Sequence, residues 1–245
     1  MPAFIISVLI QIALVVHITK TGRNTTWVYI VVFLPLAGSI AYFLVELLPE
    51  LMNSRSGREV RQNIEEKVNP DKALKIASHN YSILESVENA NKLAAACLDK
   101  DMFDEAKLLY EKSLKGIHEN DPYLMYGLAR AEFGLENYSV VKRLLDELIE
   151  KNPDFKNAEA HLLYARTLEA LGDVELALQE YKSLDGYYSG AEASYRYAML
   201  LKAQGNYEQT MVVLEKILHT AKTSGKHYNS LHKKWITLVK YEYHQ

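Results

Sequence analysis

A single cysteine, Cys97, leaves this 245-residue chain without an intramolecular disulfide and excludes a disulfide-stapled secreted domain. A surplus of either charge is missing as well: 28 Lys and Arg face 31 Asp and Glu. With no basic excess to meet phosphates, a nucleic-acid partner is not expected. Catalytic motifs are also lacking, with no glycine-rich phosphate loop, no serine elbow and no carboxylate pair. The eight histidines show no ligand spacing. His227 and His232 stand five apart, off a common helix face, so no metal is expected. No cofactor or catalytic residue is implied, and the chain reads as non-enzymatic. Cys97 falls on an apolar stripe between Leu93 and Phe103 and reads as a small buried hydrophobe rather than a nucleophile.

Charge is scarce above all in the first 52 residues, which hold only Lys20, Arg23, Glu46 and Glu50. Two apolar runs fill that stretch, residues 2–18 and 27–48. At ~1.5 Å per residue the second reaches ~33 Å, the order of a hydrocarbon core, and the first sits at the short limit. The polar turn between them, with Trp27 and Tyr29 where interfacial aromatics belong, predicts a transmembrane hairpin. Pro35 and Gly38 lie inside the second run, where a membrane helix tolerates them. A cleaved signal peptide competes for the first run, but no basic region precedes it and no small-residue cleavage site ends it. Glu46 and His17, at the edges of the runs, read as snorkelling groups. Arg55, Arg58, Arg61 and Lys67 follow the second run against Lys20 and Arg23 in the turn, which places both termini in the cytoplasm.

The residues Lys20-Thr-Gly-Arg-Asn-Thr-Thr-Trp-Val-Tyr, Phe33-Leu-Pro-Leu-Ala-Gly and Ala41-Tyr-Phe resemble the two-helix module that precedes the catalytic domain of bacterial cardiolipin synthases. The resemblance covers about residues 2–48 and implies a membrane anchor. The catalytic His-x-Lys-x4-Asp pairs of that family are missing: His232-Lys-Lys begins like one, but Val239 stands where the aspartate belongs.

Asn53-Ser-Arg-Ser-Gly-Arg is small and polar and opens a hinge over residues 53–70, whose arginines would meet anionic headgroups. From residue 71 onward helical periodicity takes over and repeats. Tyr164-Ala165, Leu168 and Gly172-Asp173 recur 33 residues later as Tyr197-Ala198, Leu201 and Gly205-Asn206. Leu128-Ala129 stands 36 residues upstream and Leu93-Ala94 a further 35. Four units near a 34-residue period, about 87–120, 122–155, 158–190 and 191–224, resemble tetratricopeptide repeats. Each unit would be two antiparallel helices, with Ala94, Ala129, Ala165 and Ala198 at the close approach. Ala106 and Ala177 make the second small contact, from which Val141 and Thr210 depart. Tyr110, Leu145, Tyr181 and Leu214 would pack further along the second helices. Such an array must be capped. The stripe Tyr228, Leu231, Trp235, Leu238 and Val239 marks a capping helix over 227–243, and residues 71–83 an imperfect opening helix.

The tetratricopeptide resemblance implies a concave face built from first helices that holds a peptide. Its places here are Asn91 and Ala95, then Tyr123, Tyr126 and Arg130, then Glu159, Leu162 and Arg166, then Tyr195, Met199 and Lys202. Arg130 and Arg166 are equivalent, with Lys202 near their row. Cations beside tyrosines suit a carboxylate or acidic peptide. The competing arrangement pairs these arginines with Glu132 and Glu169 on their own helices.

The expectation is therefore all-α: a transmembrane hairpin, then an α-solenoid, in the plasma membrane of a bacterium. Its function would be a scaffold for an unidentified protein or peptide, with the bilayer held through residues 2–48. Two alternatives remain open: an accessory of cardiolipin synthesis without its own catalytic site, and a periplasm-facing envelope-assembly adaptor.

Overall fold

The computed structural model describes residues 2–53 and 70–244, with side chains from residue 8 onward and excepting Pro35 and residues 51–53. The expected hinge, with Arg55, Arg58, Arg61 and Lys67, lies outside the described residues. All regular structure among the described residues is helical, and the chain divides into two compact units, residues 1–72 and 73–245.

In the first unit, α1 (Pro2–Lys20) doubles back on α2 (Thr26–Phe33) and α3 (Pro35–Tyr42), followed by a π-turn (Phe43–Leu47) and α4 (Leu48–Asn53). The second apolar run is broken at Pro35. Proline lacks the N–H that α2 would need, and it drives the preceding residue out of the helical region: Leu34 sits at φ −124°, ψ 74°. Gly38 lets α3 close on α2, since a Cβ there would stand 2.3 Å from the Ile30 carbonyl oxygen. Ile18, Val31 and Tyr42 form a small core beside Trp27.

This corrects the expectation of two membrane spans. Pro35 leaves α2 only ~12 Å long, against ~30 Å of hydrocarbon, and the helix that restarts there carries a π-turn over Phe43–Leu47. Among the described residues no helix is long and apolar enough to cross a membrane. The multi-pass plasma-membrane location goes with the spans, and the bilayer partner is left without support. Nor do the ionisable groups stand alone: the Arg23 guanidinium pairs with Glu46 and Glu50. Trp27 Nε1 donates to Glu46 at 3.1 Å, and His17 Nδ1 lies 3.0 Å from the Tyr42 hydroxyl. Away from this core the surface is apolar, with Leu9, Phe33, Leu36 and Val45 exposed.

The second unit is a tetratricopeptide-like solenoid. After α5 (Lys72–Ile83) come the pairs α6 (Val87–Leu98) with α7 (Phe103–Ser113), α8 (Pro122–Gly134) with α9 (Tyr138–Lys151), α10 (Ala158–Leu171) with α11 (Val174–Leu184), and α12 (Ala191–Ala203) with α13 (Tyr207–Thr223). Side-chain caps start three of the first helices. Ser86 accepts from Asn89 N, Asp121 from Tyr123 N and Leu124 N, and Asn157 from Glu159 N and Ala160 N. Ala94, Ala129, Ala165 and Ala198 are all fully buried, as close helix approach demands. Tyr110, Leu145, Tyr181 and Leu214 are buried opposite them. Val141 and Thr210 also fit the buried small site. Thr210 does so by turning its hydroxyl back onto Asn206 O at 2.8 Å.

Each turn inside a pair needs one left-handed residue. Gly172 and Gly205 take it at φ 82° and 76°. The equivalent places in the first two pairs belong to Asp101 and Glu136, at φ 56° and 61°. At the far end the expected single helix 227–243 is two, α14 (Lys226–Leu231) and α15 (Lys233–Tyr243), separated by a break at His232. The break shifts the phase of the stripe. Leu231 stays exposed, and Ile236 is buried with Val239 instead.

Candidate functional site

The first helices α8, α10 and α12 line a groove of about 500 Å³. Tyr126 and Arg130 come from α8, Glu159, Leu162, Leu163 and Arg166 from α10, and Glu192 from α12, with Asn157 at the helix start. On α10 the lining residues follow the one-face spacing i, i+3, i+4, i+7, so periodicity alone aims them together. Five of the sequence-derived candidates thus line one groove: Tyr126, Arg130, Glu159, Leu162 and Arg166. Leu162 is a buried floor residue that also belongs to the core between α10, α11 and α12.

The two arginines differ. Arg130 is exposed and forms no ion pair among the described residues, lying 5.9 Å from the Tyr126 ring centre. Arg166 is held: its guanidinium lies 4.6 Å from the Phe133 ring centre and 3.8 Å from Glu192. Its Nε is buried without a hydrogen-bond partner. The expected same-helix pairs do not form. Glu132 is buried, with Lys107 at 3.0 Å and Asn137 at 2.7 Å. Glu169 accepts the Tyr181 hydroxyl at 2.5 Å and lies 3.6 Å from Arg196. Burial, eased by the Arg130 charge, raises the Tyr126 phenol above its ordinary pKa, so it stays a neutral donor.

Other candidates lie elsewhere. Asn91 and the exposed Tyr123 line a separate cavity of about 410 Å³, and Tyr123 makes an edge contact with Phe155 at 5.4 Å. Ala95 is half-buried and lines neither cavity. Tyr195 stacks on Trp235 at 5.6 Å, Met199 packs into the core shared with α15, and Lys202 pairs with Glu242 at 2.6 Å. The row of cations therefore ends at Arg166. Reasoning from the repeat missed Asn157, Leu163 and Glu192. Glu192 was legible as the fourth-unit equivalent of Glu159, 33 residues on.

A second, larger cavity of about 670 Å³ opens between the second helices α9 and α11. Its walls include Leu145, Leu148, Phe155 and Tyr164, with Lys156, His161, Glu180 and Tyr187 at the polar part. Nothing in the repeat pattern announced it. Among the described residues no group of three or more His, Cys, Asp or Glu side chains is placed to hold a metal.

No protein-family model matches the chain, and no curated protein matches it. The cardiolipin synthase resemblance of residues 2–48 finds no support there. Solved structures do match. MamA of Desulfovibrio magneticus RS-1 aligns at TM-score 0.56 and 13% identity, over 69% of this chain and 95% of that one. A Podosopora anserina putative kinesin light chain with nearly identical TPR-like repeats aligns at 0.54 and 18%, again over 69% and 95%. MamA MSR-1 C2 aligns at 0.50 and 20%, over 66% and 99%. At such identities the likeness is one of fold: this is a tetratricopeptide-like helical repeat protein.

Proposed function

We propose that the repeat array is a protein-interaction scaffold whose groove across α8, α10 and α12 holds a peptide segment carrying an acidic group. The observation that carries this reading is Arg130, an exposed guanidinium without a carboxylate partner among the described residues, beside Tyr126 in a groove of about 500 Å³. Guanidinium binds carboxylate in a two-pronged geometry, and a half-buried tyrosine adds contact area at little entropic loss. Arg166 supports the groove from below, pinned between Phe133 and Glu192. Tyr123 extends the surface toward the first pair. Tyr195, Met199 and Lys202 brace α15 in this reading and leave the contact to the second and third units. Those units run over about 122–155 and 158–190 in the proposed division.

The test is capture of partners by the full chain beside an Arg130→Glu variant, which removes an exposed residue that the fold does not use. A protein retained by the native chain and lost with the folded variant supports the groove. Identical partners with both chains overturn it.

A further inference from the structure

We propose that the second cavity, on the far side of α10 from the groove, is a binding site for an organic ammonium cation with an apolar body. The placement is independent of the peptide reading. Groove residues on α10 are 159, 162, 163 and 166, and cavity residues are 160, 161 and 164. At ~100° per residue the two sets point ~150° apart.

The cavity has the composition of a ligand site, an apolar enclosure of about 670 Å³ with a few convergent polar groups. Three aromatic residues line it, Phe155, Tyr164 and Tyr187, and the negative faces of such rings attract a cation. An ammonium is already drawn to one of them, with Lys142 Nζ 5.9 Å from the Tyr164 ring centre. The carboxylate is Glu180. Its partner is an imidazole, His161 Nε2 at 2.6 Å, and no Lys or Arg pairs with it among the described residues. His161 is used up, since its Nδ1 meets the Tyr187 hydroxyl while the two rings lie 5.7 Å apart. That contact fixes Tyr187 and the Glu180 carboxylate at one end of the cavity. A cation here would be a second partner for Glu180 beside the His161 imidazole, and the apolar floor of Leu145 and Leu148 favours one carried on an apolar body. Lys156, exposed on the loop, is the opposing signal and would favour an anion.

The probes are therefore benzyltrimethylammonium and, as its anionic counterpart, phenylacetate, each titrated into the full chain by calorimetry. Benzyltrimethylammonium binds saturably, about tenfold more weakly to Glu180→Gln. The groove variant Arg130→Glu binds it as the native chain does, so the site stands or falls apart from the peptide groove. Should Glu180→Gln unfold, Tyr187→Ala, which removes an exposed ring, shows the same weakening. Phenylacetate binding as tight as the cation's, affinity unchanged in both variants, or no saturable binding of the cation would each overturn the proposal.

Discussion

Arg166 and Phe133 belong to neighbouring units, and the guanidinium of one lies 4.6 Å from the ring centre of the other. This contact joins α10 to α8, whereas Arg130, the repeat equivalent of Arg166, touches no second unit through an ion pair. Arg166→Ala should therefore lower stability by about 0.5–1 kcal/mol, and Arg130→Ala by a few tenths at most. Urea unfolding of both variants checks this, and equal losses would contradict the assignment of a structural role to Arg166 alone.

The left-handed turn residues offer a test in the opposite direction. Asp101 and Glu136 occupy positive φ where the later units place Gly172 and Gly205. Both side chains are exposed and make no ion pair among the described residues, so nothing offsets the strain. Glu136→Gly should stabilise by about 0.5–1 kcal/mol, and Gly172→Glu should destabilise by about 1–2 kcal/mol. Melting temperatures that move the other way would show that the turn is held by contacts rather than by backbone preference.

Gly127 faces the Tyr110 ring so closely that an added Cβ would stand 2.3 Å from Cζ. Tyr110 is itself buried. Gly127→Ala should lose about 1–3 kcal/mol to overpacking, more than the gain of about 1 kcal/mol from replacing a helical glycine. The pair Gly127→Ala/Tyr110→Leu should recover part of the loss. A single variant as stable as the native chain would rule out the tight contact.

Alkaline pH should unfold the solenoid through its tyrosines. Burial raises the phenol pKa of Tyr110, Tyr126 and Tyr181, and in Tyr181 the hydrogen bond to Glu169 raises it further. The folded form therefore holds these protons more tightly than the unfolded chain. Their contribution is complete below the unfolded pKa of about 10 and is lost as pH rises beyond it. Melting temperature should fall from pH 10 upward, and less steeply in Tyr181→Phe. The same slope in that variant would exclude Tyr181 as a contributor.

Much of the array was legible because its constraints repeat. Ala94, Ala129, Ala165 and Ala198 recur at the period of one helix pair, and each is fully buried for the same steric reason. That Tyr126, Arg130, Glu159, Leu162 and Arg166 line one cavity was legible too, since helical spacing gives them one face. The N-terminal unit was misread. Hydropathy counts residues along the chain, while Pro35 decides where the helix stops. Lys202 was misplaced for a related reason: its partner Glu242 stands forty residues away on a helix outside the repeat pattern.

The sequence by itself determined the helical class, the period, the small residues at each close approach and the two turn glycines. Each of these follows from local geometry repeated in register. Only the tertiary structure decided that Arg166 is paired while Arg130 has no ion pair among the described residues, and that a cavity lies against His161 and Glu180. Those outcomes depend on side chains from separate helices meeting in space, and no spacing along one helix records such a meeting.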